Sequence, residues 1–571
     1  MAEERIGVYV CSCGTNIAKM VDVAAVAEFA LTIPGVVKAS GYKYMCSNPG
    51  QEMIAQDIHD NGLTRIIVAS CSPRMHEGTF RGAIKRAGLN PYMLEMANIR
   101  EQCSWIHEDP VAATEKAKAL VHAAVERVKF QEALESRTAP MCPSTMVIGG
   151  GVTGMSSALE LADAGQQVFL VEKQDHLGGN VARLSLTAPY LDSAQDVLRT
   201  WISRVERHPN IRLFLNTELI ELKGFNGNFK PKVKTEDGTD LELDAGSILV
   251  CTGFKEFDAS KVAQYGYGKL PDVITSFELE AMLKRGKIET KSGKLPRYVS
   301  IIHCVGSRSE EFHPYCSRVC CTAGLKYAFE LKSALPDVKV SNLYTDMEAF
   351  GKGCEDFYLK AGAAGTSFMM FSKHQLPTIR AAAPGDGCNM LISFKEQLSG
   401  EEIETPTDLV VLMVSMEPRE DAGKVARLVN ISADANGWFI ESHPKLDPVA
   451  TTTDGVYIAG ACQFPRDIPE SVTQGRAAVA RILGKVAQGQ ITVDAVYSEV
   501  NPKLCAGCKA CFSLCPYGAI EFDEKNHVSN IISAVCKACG CCSAYCPSGA
   551  IKVRHYTDEQ IYAQIEGVLG S

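Results

Sequence analysis

Nine of the 23 cysteines in this 571-residue chain fall between Cys505 and Cys546. Eight of them make two copies of one run: Cys505-x2-Cys508-x2-Cys511-x3-Cys515-Pro516, then Cys536-x2-Cys539-x2-Cys542-x3-Cys546-Pro547. Such a run ligates two [4Fe–4S] clusters, with the fourth cysteine of each run serving the other cluster. The tight loops let three thiolates converge on one cube, and the proline ends the run. Two complete copies with both prolines argue against a pair of zinc knuckles. The chemistry is single-electron transfer at low potential. Cys541, extra to the second run, reads as a small core residue.

Gly149-x-Gly151-x-x-Gly154 follows an apolar strand pattern and opens a helical one. Glu172 ends the next strand pattern, 21 residues after Gly151. This is the dinucleotide fingerprint in its required context. Gly149 permits the tight turn, Gly151 lets backbone approach a pyrophosphate, and Gly154 lets the helix pack closely. The helix N-terminus faces the phosphates with free N–H groups, and Glu172 accepts from the ribose hydroxyls. Lys173, Gly178, Gly179 and Asn180 lie in the loop after the acid, Thr252-Gly253 close another strand, and Gly460 ends a late Gly455-Val-Tyr-Ile-Ala-Gly460 stretch. These stretches are similar to those of two-dinucleotide flavoproteins and favour FAD over NAD. The family usually has Gly-Asp where this chain has Gly460-Ala461.

Val299–Val305 reads as the first strand of a second Rossmann unit, yet no GxGxxG follows it. Cys304, Cys316, Cys320 and Cys321 stand there instead. Four thiols suit another [4Fe–4S] cluster, although the side chains of adjacent Cys320 and Cys321 ordinarily diverge. A redox disulfide or core thiols are the alternatives. A cluster here leaves no ordinary seat for NAD(P)H. Lys326, five residues on, is a candidate catalytic cation near reduced flavin, or a solvated lysine.

These residues need scaffolding. The apolar share of 46% and charged share of 22% are those of a globular protein, and the length allows about four domains. No apolar stretch is long enough for a membrane helix. The start, Met-Ala-Glu-Glu-Arg, has no secretory h-region, so a reducing cytoplasm is expected, where clustered cysteines are metal ligands before they are disulfides. A net charge of −9 without a basic patch argues against nucleic-acid binding. Strands ending in Cys11 and Cys71 alternate with helices, a parallel-sheet pattern. Asp109-Pro110 opens a long helix expected to reach about Glu135. The tail Asp558–Leu569 is a helix with Ile561, Ile565, Val568 and Leu569 on one face, expected to pack on this chain. The expected domains are an N-terminal iron–sulfur domain (1–138), an FAD Rossmann domain (139–294, returning at 401–492), a second Rossmann-like domain (295–400) and a two-cluster ferredoxin domain with its helix (493–571).

Cys11-x-Cys13-Gly14, Met45-Cys46-Ser, Cys71-Ser-Pro-Arg-Met-His-Glu, Asn98-Ile-Arg-Glu-x-Cys103-Ser-Trp, Cys304-Val-Gly-Ser-Arg, Cys316-Ser-Arg-Val-Cys-Cys and Asp467-Ile-Pro-Glu-Ser together resemble the heterodisulfide reductase A-subunit family over essentially the whole chain. The resemblance implies an α/β protein: a thioredoxin-reductase-like two-Rossmann FAD core, an N-terminal α/β cluster domain and a C-terminal α+β ferredoxin domain. It implies FAD and four [4Fe–4S] clusters, the N-terminal one on Cys11, Cys46, Cys71 and Cys103 with Cys13 as competitor. It implies an electron-transfer subunit within a heterodisulfide-reductase, hydrogenase, formate dehydrogenase or ring-reductase (benzoyl-CoA reductase type) complex, with soluble ferredoxin as a further partner and flavin-based electron bifurcation as the mechanism. Longer members carry a ferredoxin-like insertion in the FAD domain. Arg183–Leu249 here has no cysteine, so that insertion is missing. A self-sufficient NAD(P)H:acceptor oxidoreductase is the competing reading; it requires a second GxGxxG, which 295–350 lacks.

Overall fold

The computed structural model describes residues 4–570. The chain forms two units, one from the described parts of 1–138 and 492–571, the other from 139–491. In the first, a parallel sheet runs in the order Val36–Tyr42, Ile6–Cys11, Arg65–Ser70, Leu94–Asn98. Its two inner strands are buried along almost their whole length, Arg65 alone being half-buried, as in a parallel sheet covered on both faces. Cys11, Cys46, Cys71 and Cys103 all follow carboxyl ends of these strands, the edge where open α/β sheets bind ligands.

The helix after Asp109 covers Pro110–Val128 and stops short of the expected Glu135. The chain beyond it is pulled onto the sheet instead: Gln131 Nε2 donates to Glu95 at 2.6 Å, and Asn90 Nδ2 donates to the Leu134 carbonyl at 2.9 Å. The C-terminal helix Asp558–Leu569 packs on Pro110–Val128, but not with the expected face. Gln560, Ala563 and Gly567 are buried, while Ile565 is 49% and Leu569 79% exposed. The helices approach so closely that a Cβ on Gly567 would lie 2.8 Å from Ala123 Cα.

The second unit holds two five-stranded parallel sheets. The first runs Val456–Ile458, Ser247–Val250, Ser144–Ile148, Gln167–Val171, Ile211–Phe214. The second runs Val273–Thr275, Leu409–Val414, Tyr298–Val305, Lys339–Tyr344, Ser367–Met370. Each is accompanied by a three-stranded antiparallel sheet, Glu218–Phe225 with its neighbours and Met390–Lys395 with its neighbours. This is the expected two-Rossmann α/β core. Among the described residues no helix is long and apolar enough to cross a membrane.

Candidate functional site

A cleft of about 1460 Å³ opens at the carboxyl edge of the first Rossmann sheet. Gly149, Gly151, Glu172, Lys173, Gly178, Gly179, Asn180, Thr252 and Gly253 line it. Strand Ser144–Ile148 passes through Gly149–Gly151 into helix Val152–Asp163. Gly149 has φ +109, and a Cβ there would sit 2.4 Å from the Cys251 carbonyl oxygen. Gly151 is different: its Cβ would meet nothing within 4 Å, because it points into the space a pyrophosphate needs. The Glu172 carboxylate is pre-oriented by backbone donors, Gly150 N–H at 2.6 Å and Gln174 N–H at 2.8 Å.

Gly154 packs as expected, and two other cofactor candidates, Gly460 and Lys173, have roles of their own. Gly154 and Gly460 are packing glycines: a Cβ would lie 1.8 Å from the Gly149 oxygen in one case and 2.4 Å from Thr153 Oγ1 in the other. Ala461, not Gly460, lines the cleft. Lys173 lines it too, but its ammonium is engaged by Asp421 at 3.1 Å and Glu218 at 3.2 Å. The helix Ile468–Val486, capped by Asp467, presents its first turn to the cleft. The residues fit an FAD, which supplies a centre able to exchange one or two electrons.

One of the central cysteines, Cys320, lines the same cleft. Strand Tyr298–Val305 breaks its register near Cys304, whose φ is +60, and a loop then leads to helix Cys320–Ala334. Cys320 hydrogen-bonds both Cys304 and Cys321, which raises its own thiol and lowers those of its neighbours. Cys316 feels the charges of Cys304 and Cys321. The side chains of Cys320 and Cys321 converge on the buried His303, the three ligand atoms lying within 4.8 Å of one another. Both cysteines stand in the first helical turn, where the helix dipole favours thiolates. Cys320, Arg318 and Lys326 line the cleft.

In the C-terminal runs, Cys542 is surrounded by the charges of Cys536, Cys539 and Cys515. That is three thiols of the second run with the fourth of the first. All four line one small cavity. Cys541 is exposed rather than in the core, though it borders the cavity. A shared backbone device marks the cysteine groups. The N–H of Ala538 donates to Cys536 Sγ at 3.4 Å, that of Arg318 to Cys316 Sγ at 3.2 Å, and that of Cys13 to Cys11 Sγ at 3.3 Å. Each donor has left-handed φ, from +47 to +62, a strained choice for a side-chain-bearing residue that turns its N–H toward the sulfur. Such anion-directed donors suit thiolate-held clusters.

The N-terminal group departs from expectation. Cys11 feels Cys13 and Cys46, and Cys71 feels Cys11 and Cys13. Arg100 Nη1 donates to Cys13 Sγ at 3.3 Å. Cys103 is placed apart: its thiol donates to the Ala113 carbonyl at 3.1 Å, inside the apolar core with Val10 and Val121. The helix Pro110–Val128 captures it.

Lys326 lines the cleft but is not solvated. It is buried and ion-paired with Glu280 and with Glu330, the latter at 3.4 Å. Sequence reasoning missed Glu280, Glu330, Ser185, His303 and Arg466. Burial pushes the Arg466 guanidinium down in the cleft wall, and its Nε has no partner. Only His303, adjacent to Cys304, carried a local signal.

A dinucleotide cleft walled by cysteines, with a two-cluster module on the same chain, defines an iron–sulfur flavoprotein oxidoreductase. Residues 111–267 match the pyridine nucleotide-disulphide oxidoreductase family and 504–550 the 4Fe-4S dicluster domain. The chain is 40% identical over 655 residues to the second iron-sulfur A-subunit of the CoB--CoM heterodisulfide reductase of Methanopyrus kandleri, covering 99% of each chain. It is 37% identical over 657 residues to the A-subunit of the H(2)/formate:CoB-CoM heterodisulfide,ferredoxin reductase of Methanococcus maripaludis, covering 100% of this chain and 99% of that one. Thioredoxin reductase of T. acidophilum is similar over 60% of this chain and 98% of its own, at 16% identity and a TM-score of 0.41. The chain belongs to the heterodisulfide reductase A-subunit family. Both family alignments are longer than the chain's 571 residues, so these relatives carry residues without a counterpart here.

Proposed function

We propose that this chain is the flavin-bearing electron hub of a cytoplasmic heterodisulfide-reductase-type complex, holding one FAD and four [4Fe–4S] clusters. The observation that carries the reading is that Cys320 lines the same cleft as Gly149, Gly151 and Glu172. Electrons leaving that cleft have a thiolate-held acceptor in its wall. The proposed ligand sets are Cys505, Cys508, Cys511 and Cys546; Cys536, Cys539, Cys542 and Cys515; Cys304, Cys316, Cys320 and Cys321; and Cys11, Cys13, Cys46 and Cys71. Gly149–Gly151 and the helix N-terminus hold pyrophosphate, and Glu172 orients ribose.

The relatives' names point to a heterodisulfide, ferredoxin, hydrogen and formate as what such complexes act on. We assign the terminal reaction to partner subunits and the meeting of one- and two-electron traffic to this chain. The absence of the insertion leaves the C-terminal ferredoxin module as the low-potential route, and bifurcation through it is the finer form of the proposal.

Anaerobic isolation of the untagged protein tests the assignment. The expected result is about sixteen irons and one FAD per chain, with reductase, hydrogenase or dehydrogenase subunits in stoichiometric amounts. Bifurcation requires the isolated complex to reduce ferredoxin only while a high-potential disulfide acceptor is also present. A solitary protein whose flavin is rapidly reduced by NADH would overturn the hub reading.

A further inference from the structure

In the first unit, the strand Leu94–Asn98 runs into a single wide turn rather than an ordinary helix. The Ser104 N–H donates to the Ile99 carbonyl at 3.2 Å and the Trp105 N–H to the Arg100 carbonyl at 3.0 Å, each five residues back. Wide turns of this kind are frequent at functional sites. Asn98 Oδ1 pins the start of the turn, accepting the N–H groups of Arg100 at 3.2 Å and Glu101 at 3.0 Å. From this one turn Cys103 enters the apolar core, while Arg100 reaches the other N-terminal thiols.

The Arg100 side chain is held by Cys13, Met75, Glu101 and Trp105. Its Nη1 donates to Cys13 Sγ at 3.3 Å. Its Nη2 donates to Met75 Sδ at 3.1 Å and to Glu101 Oε1 at 2.7 Å, and its Nε shares that oxygen at 3.2 Å. The guanidinium lies over the Trp105 ring, 4.9 Å from its centre. Glu101 is anchored in turn, its Oε2 accepting the N–H of Ser72, the neighbour of Cys71, at 2.9 Å. The Arg100 side chain is 11% exposed and that of Glu101 27%, so water screens the carboxylate more than the cation. The field at Cys71 agrees. Burial pushes that thiol up to about 11, and against this the Arg100 charge pulls it down by more than Glu101 pushes it up. The positive end of the pair therefore faces the sulfurs.

We propose that Arg100 is the positioning residue of the N-terminal thiol group: it binds Cys13 into the ligand set and raises the reduction potential there, so that an electron reaching this end of the chain is retained. At Cys536 and Cys316 the donors to sulfur are backbone N–H groups, which bring only dipoles. A guanidinium brings a full charge, and charge-assisted hydrogen bonds are roughly twice as strong as neutral ones. Uptake of one electron adds negative charge that the ligand sulfurs share; no bond breaks and no proton moves. A cation hydrogen-bonded to one of those sulfurs stabilises the reduced form more than the oxidised one, and cluster potentials follow both net charge and hydrogen bonds to sulfur. The thiol of Cys103, by contrast, keeps its proton on the Ala113 carbonyl.

This role of Arg100 rests on the proposed cluster at Cys11, Cys13, Cys46 and Cys71, and its test separates the two. The full-length protein is purified anaerobically and titrated with dithionite in the presence of redox mediators, and reduced clusters are followed by low-temperature electron paramagnetic resonance. The signal missing from Cys13→Ser belongs to the N-terminal group. In Arg100→Gln that signal should persist with the iron content unchanged, its reduction equilibrium should fall by about tenfold or more, a shift of about 59 mV for one electron, and the other midpoints should stay. Arg100→Lys keeps the charge and should recover part of the fall. Glu101→Gln removes the opposing charge and should move the same midpoint upward. An unmoved midpoint in Arg100→Gln, or in Glu101→Gln should the former lose iron, overturns the tuning alone. Full iron and every native signal in Cys13→Ser overturn the ligand assignment and the tuning with it.

Discussion

The two Rossmann halves start from one plan and solve one problem twice. In the first, strand Ser144–Ile148 reaches helix Val152–Asp163 through three residues, Gly149–Gly151. In the second, strand Tyr298–Val305 reaches helix Cys320–Ala334 through fourteen, Gly306–Val319. Both strands end in a left-handed glycine, Gly149 at φ +109 and Gly306 at φ +82. Both helices direct a positive N-terminus at the strand end. What differs is the guest. The short loop of the first half leaves helix N–H groups bare for phosphate. The long loop of the second carries Cys316 and leads to Cys320 and Cys321 in the first helical turn, where the dipole is offered to sulfur instead. Under the ligand assignment proposed above, an anion site is kept while the anion changes, and a nicotinamide half becomes an electron outlet.

The comparison breaks first at its glycines. Gly149→Ala forces a Cβ against fixed backbone at a forbidden φ and should cost about 3 kcal/mol or more, lowering the melting temperature and abolishing bound flavin. Gly306→Ala meets the buried Phe257 ring at 2.5 Å and should lose central iron while retaining flavin, as iron and flavin counts per chain will show. Next, Cys320→Ser should remove about four irons and leave flavin absorbance intact; simultaneous loss of flavin would mean that the halves are not separable. The third sheet extends the comparison: Cys13→Ser should also remove about four irons, and Cys103→Ser none, by the same assay. Gly151→Ala, whose Cβ meets only the cleft, should leave melting unchanged but weaken FAD binding, by a factor of order ten or more in a reconstitution titration. Glu172→Gln is the mildest. It keeps the backbone donors' partner but drops the charge, at about 1 kcal/mol of FAD affinity by the same titration.

Legibility in the sequence followed the span of each feature. The ferredoxin runs and the Gly149–Glu172 fingerprint lie within forty-odd residues or fewer, where spacing alone constrains geometry, and their strands, helices and loops appear as read. The N-terminal thiols hang from four separate strands. Their grouping depends on sheet order and on which thiol the helix Pro110–Val128 draws into the core, so Cys103 and Cys13 could not be told apart by spacing. The tail helix was legible as a helix, but its packing face follows Gly567, where close approach outweighs the burial of Ile565. Glu280, Ser185 and Glu330 left no local trace, because their contacts exist only where three segments converge.

The close fit of Gly567 on Ala123 has a consequence for biosynthesis. The helix Pro110–Val128 emerges from the ribosome long before Asp558–Leu569, the helix that covers it. At about 5–20 residues per second, roughly 440 residues of intervening synthesis leave that face bare for some 20 to 90 seconds. Throughout that interval the nascent first unit lacks a close packing partner for this helix. A truncation that removes Asp558–Leu569 should therefore be felt first in the amino-terminal part of the first unit.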